Sequence, residues 1–74
     1  MTPQYVVILV HSTSQAVRGE HLLDRAGIPT KLIPVPRKFA SDCGVCLRVA
    51  VEDRERALET LRAAKLEPEA VHEL

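Results

Sequence analysis

The chain has 74 residues with ten Lys plus Arg, ten Asp plus Glu and no formal net charge. A length of this order fits one small domain spanning residues 1–74, and the charge balance excludes the cationic surplus that a nucleic-acid binder needs for phosphate contacts. Two aromatics, Tyr5 and Phe39, leave little material for stacking on bases.

The first apolar run, Tyr5 to Val10, is β-branched and apolar throughout, which predicts a strand buried on both faces. It is too short to span a bilayer and lacks the basic flank of a secretory signal, so the expected compartment is the cytoplasm. Ser12-Thr-Ser-Gln15 fits a capping box, in which the Ser12 hydroxyl and the Gln15 amide serve early helix donors. Ala16, Gly19, Leu22, Leu23 and Ala26 follow at helical spacing and Gly27 supplies the stop, predicting a helix from about Thr13 to Ala26.

Lys31 to Pro36 carries Leu32, Ile33 and Val35, but Pro34 and Pro36 cannot donate to a ladder, so this strand belongs at a sheet edge. Arg37 to Asp42 reads as a polar connection. Val45, Leu47, Val49 and Val51 alternate with Cys46, Arg48, Ala50 and Glu52, the period of a strand with one face toward a core. Asp53 is placed to cap a second helix that buries Ala57, Leu58, Leu61 and Ala64, and Glu69 to Leu74 closes the chain as a weak strand.

The order strand, helix, strand, strand, helix, strand is the split βαβ arrangement of ferredoxin-like α+β folds. The apolar first and third strands suit the centre of an antiparallel sheet with order 4-1-3-2, both helices covering one face. Val6, Ile8 and Val10 then cannot share a face with Tyr5, Val7 and Leu9, so one set needs other cover, which a homodimer through the open face would supply. The same topology brings the start of the third strand beside the end of the first. Cys43, His11, Ser12, Thr13 and the Arg37-Lys38 loop become expected neighbours.

Cys43-Gly-Val-Cys46 is the most informative segment. In reducing surroundings such thiols are reactive or metal-binding before they are structural. Redox pairs usually open a helix, whereas this one leads into a strand. Three extended steps separate the Cα atoms by roughly 10 Å, beyond the roughly 7 Å limit of a disulfide, unless Gly44 turns sharply. Cys43, at a loop end beside Gly44 and near Arg37 and Lys38, is the candidate thiolate. Cys46 shares the parity of Arg48 and Ala50, and reads either as a second working thiol or as a small apolar residue in an interface. His11 ends a buried strand at the thiol rim and is the candidate proton-transfer group, while the Ser12 and Thr13 amides stand at a helix start suited to an anion. His21, mid-helix beside Leu22, reads as a solvated surface residue, and His72 as an edge-strand residue with no visible partner. A soft-metal carrier of copper or zinc using Cys43 and Cys46 is an alternative, although ferredoxin-like metallochaperones place their Cys-x-x-Cys after the first strand.

Tyr5-Val-Val-Ile-Leu-Val-His-Ser-Thr, Ala26-Gly-Ile-Pro-Thr-Lys-Leu-Ile-Pro-Val-Pro-Arg and Ser41-Asp-Cys-Gly-Val-Cys-Leu-Arg48 together resemble the selenium/sulfur-carrier-like family of small domains. The resemblance implies a bacterial or archaeal domain found beside or fused to TusA-type sulfur carriers, with Cys43 as the family cysteine, Gly44 its following glycine and Arg48 the strand arginine. It implies a carrier without turnover of its own and without a cofactor, holding a persulfide or its selenium equivalent on Cys43. Donor and acceptor proteins, such as a cysteine desulfurase or a TusA-type carrier, would be its partners. The Cys-Pro-x-Pro turn of TusA-type carriers themselves is absent. The alternative from another class is a dimeric regulatory or interaction module in which the thiols are incidental.

Overall fold

In a computed structural model, residues 4–39 and 44–74 are described. They form, in chain order, β1 (Tyr5–Leu9), α1 (Thr13–Arg25), β2 (Thr30–Pro34), β3 (Val45–Ala50), a short 3-10 turn (Val51–Asp53), α2 (Arg54–Ala63) and β4 (Ala70–Glu73). The strands make one antiparallel sheet in the order β2-β3-β1-β4, which is the expected 4-1-3-2 order read from the other edge.

β1 takes the centre because nothing in it tolerates water. Val6, Val7, Ile8, Leu9 and the following Val10 are all buried. At about 1.5–3 kcal/mol for each such side chain, this strand is the largest local contribution to burial. Val6, Ile8 and Val10 meet Ala16 and Leu23 of α1, Ala57, Leu58 and Leu61 of α2, and Leu47 and Val49 of β3. Both helices therefore pack on one face. Val7 and Leu9 point the other way, with Cys46, into a second cluster completed by Ile33, Val35, Phe39 and Ala70.

That second cluster alters one expectation. The face away from the helices is covered over Val7, Leu9 and Cys46 by residues of the same chain, so these side chains require no second copy. Of the expected polar connection Arg37 to Asp42, residues 40–42 lie outside the described residues, and Phe39 is not a solvated connector but packs on this cluster. The Phe39 amide donates to the Pro36 carbonyl at 2.9 Å, closing a turn that brings the Phe39 ring back to the sheet. Pro34 ends β2 at the sheet edge opposite Val45, where its missing N–H leaves no ladder bond unmade on a partner strand.

The helix ends explain their own positions. Ser12 caps α1, its hydroxyl accepting from the Gln15 amide at 3.2 Å, but the Gln15 side chain accepts from the His11 amide at 3.0 Å, not from Ser12. The capping box is thus displaced by one residue. Gly27 adopts φ 76°, and the Ile28 amide donates back to the Leu23 carbonyl at 2.9 Å, which leaves Ala26 exposed and outside the helix. α2 ends the same way without a glycine: Lys65 sits at φ 63° while the Leu66 amide reaches the Leu61 carbonyl at 2.9 Å. Asp53 does not cap α2 through its side chain. Its Oδ1 accepts from Arg56 Nη1 at 3.2 Å, because the 3-10 turn already leads the backbone into the helix. Ala64, expected on the buried face of α2, is half-buried at the helix end, where its carbonyl accepts from Arg18 Nη2 of α1 at 2.8 Å.

Two substitutions test this packing. A Cβ added at Gly19 would lie 2.8 Å from Leu47 Cδ1, itself enclosed in the core. Gly19→Ala is therefore expected to lose about 1 kcal/mol in urea unfolding, despite the better helix propensity of alanine. Lys65→Gly removes a left-handed strain and should gain about 0.5–1 kcal/mol with an unchanged m-value.

Candidate functional site

The site begins at one rim of the sheet. Leu9 pairs with Cys46 of β3 on one side and Ala70 of β4 on the other, so the end of β1, the start of β3 and the start of β4 meet there. His11, Ser12 and Thr13 leave β1 at that rim, and Gly44 enters β3 at it. The Val35 amide donates to the Gly44 carbonyl at 3.2 Å, extending the β2–β3 ladder by one bond beyond Pro34. Cys43 lies outside the described residues.

His11 has a partner that the sequence pattern did not reveal. Its Nδ1 lies 3.5 Å from Glu69 Oε2, and the Glu69 amide donates to the Leu9 carbonyl at 2.7 Å. The contact is exposed and contributes little to stability, but it places the ring at the rim beside β4. Ser12 and Thr13 are exposed at the start of α1. Arg37 and Lys38 are exposed in the turn after β2, with Lys38 Nζ 5.2 Å from the centre of the Phe39 ring.

Cys46 is 0% exposed. Its place on β3, with parity opposite to Leu47 and Val49, puts it on the face away from the helices as the alternation predicts. The cover above this face is aromatic: Phe39 and His72 stack with ring centroids 4.2 Å apart and planes at 7°. His72 therefore is not the unpartnered edge residue expected. It pairs in register with Val7, so β4 carries its ring onto the same face that Phe39 reaches from the β2–β3 connection. The available signal was parity: Ala70 and His72 alternate with Val71, which packs toward the helices.

Arg48 belongs to a different part of this face. It pairs with Val7 and Lys31 in the middle of the sheet, and its guanidinium carbon lies 4.3 Å from the centre of the Tyr5 ring. The structure thus gathers His11, Ser12, Thr13 and Gly44 at the rim and sets Arg48 apart from them. His21 is exposed on the outer side of α1, as expected. Among the described residues no group of three or more His, Cys, Asp or Glu could hold a metal ion, and no helix is long and apolar enough to cross a membrane.

If Phe39 is the cover of Cys46, its removal exposes the thiol. In a Cys43→Ser background, Phe39→Ala should raise the rate of Cys46 reaction with a disulfide reagent by about tenfold or more, while Phe39→Leu keeps most of the protection.

Comparison with known proteins adds one match and two blanks. No curated protein and no solved structure matched the chain. A family model, described as "Putative Se/S carrier protein-like", matches residues 5–73, from the first residue of β1 to the last of β4. With nearly its whole length and both cysteines inside that match, the chain belongs to this Se/S carrier protein-like family.

Proposed function

We propose that residues 1–74 form a single ferredoxin-like domain that carries sulfur, or selenium in its place, as a persulfide or its selenium equivalent on Cys43. The observation that carries this reading is the burial of Cys46. Of the two cysteines in a chain of a carrier-like family, one is sealed in an apolar cluster with Val7 and Leu9, beneath Phe39. Cargo chemistry then falls to Cys43, at the loop end before Gly44. A thiol in apolar surroundings is a poor nucleophile, whereas one among cations ionises more readily. The exposed Arg37 and Lys38 precede Cys43 in the sequence and are the cations this reading assigns to favour its thiolate.

The loading step is a sulfur transfer. The Cys43 thiolate attacks the terminal sulfur of a donor persulfide, the donor's S–S bond breaks, and the donor leaves as a thiolate. Delivery to an acceptor thiolate runs the same exchange in reverse, so no external oxidant is consumed. His11, held by Glu69 at the rim, is suited to move the proton, and the Ser12 and Thr13 amides at the start of α1 favour negative charge nearby. Donor and acceptor proteins, a cysteine desulfurase or TusA-type carrier among them, meet the chain at this rim in the cytoplasm. The domain has no turnover of its own.

The soft-metal alternative requires both thiols equally, and Cys46 lies inside the apolar cluster. The interaction-module alternative requires neither. The test is intact mass after incubation with a cysteine desulfurase and cysteine. Wild type and Cys46→Ala are expected to gain one sulfur atom and Cys43→Ser none. Equal uptake by Cys43→Ser would overturn the assignment.

A further inference from the structure

The half of the sheet face not covered by Phe39 carries an arrangement that the thiol chemistry does not use. Lys31 of β2 and Arg48 of β3 are direct cross-strand partners on this face. Like charges set opposite one another across a ladder repel, and a sheet normally avoids the pairing. Neither cation has a carboxylate within ion-pairing distance among the described residues. Arg48 Nε is shielded from solvent and has no acceptor among the described residues, so the guanidinium offers a ligand its terminal Nη groups. The guanidinium carbon lies 4.3 Å from the centre of the Tyr5 ring, close enough for a cation–π contact. Beside these groups lies a surface pocket of about 390 Å³ lined by Tyr5, Pro29, Thr30, Lys31 and Arg48, with Asp24 from the last turn of α1.

From these observations we infer that Lys31, Arg48 and Tyr5 form a binding site for a small oxyanion. Two oxygens of one anion accept from the two terminal Nη–H groups of the guanidinium, a bidentate match. The same charge lies between Lys31 and Arg48 and cancels their repulsion. The contact with the Tyr5 ring restrains the guanidinium, so that little side-chain freedom is lost on binding. Asp24 leaves a single net positive charge on the lining, which favours a small anion over an extended polyanion. The site does not depend on Cys43, and its failure would leave the carrier reading standing.

The test follows the Arg48 Nε–Hε resonance during titration with inorganic phosphate, against sodium chloride at matched ionic strength. A saturable shift is expected with phosphate and not with chloride. Arg48→Gln should abolish saturable shifts at the neighbouring Tyr5 and Lys31 amides. Lys31→Gln, at an exposed position that leaves the fold intact, should weaken the apparent affinity by about fivefold. Arg62→Gln on α2 should leave it unchanged. Equal shifts with chloride, a response that never saturates, or affinity unaltered by Lys31→Gln would each overturn the proposal.

Discussion

Everything in this fold depends on burying β1 from both sides. Val6, Ile8 and Val10 face one way and Val7 and Leu9 the other, and all five are removed from water. A chain of this size has two helices to offer, and both go to the first face. The second face must then be covered by something shorter. The β2–β3 connection does it, with Phe39 laid over the sheet and stacked on His72. The part of the connection that runs from β2 to Phe39 is thereby tied to the core.

This constraint decides the place of one of the two thiols. Cys46, opposite Leu9 in the ladder, shares the fate of β1 and becomes core. Cys43 directly precedes Gly44 in the sequence. A Cys-x-x-Cys spacing that suggests two equivalent sulfurs is thus, in our reading, one cargo thiol and one packing residue. The rim where β1 ends supplies His11 and the α1 start, while the cation pair Lys31–Arg48 stands apart in mid-sheet.

Much of this was legible in the residues. Tyr5 to Val10 could only be a central strand, the two prolines placed β2 at an edge, and the alternation of β3 put Cys46 and Arg48 on one face. Those features are local, and local patterns survive in a single sequence. Contacts that join distant segments are less visible. Phe39 sits between Lys38 and Ala40 with no periodicity to announce its burial, and His72 has only the parity of a short strand. The His11–Glu69 pair depends on β4 lying beside β1, which sets two residues 58 positions apart at one rim. Asp53 does stand at the N-cap position of α2, but its side chain makes no cap bond, because a 3-10 turn intervenes where the residue pattern shows only a helix start.

The division of labour between the thiols is the central claim, and competitive alkylation of the native protein tests it most directly. Brief exposure to iodoacetamide, then unfolding and labelling with an isotopic form, lets peptide mapping score each cysteine separately. The account predicts that Cys43 takes the first label and Cys46 almost entirely the second. Equal first labelling of both, or preferential labelling of Cys46, would contradict it.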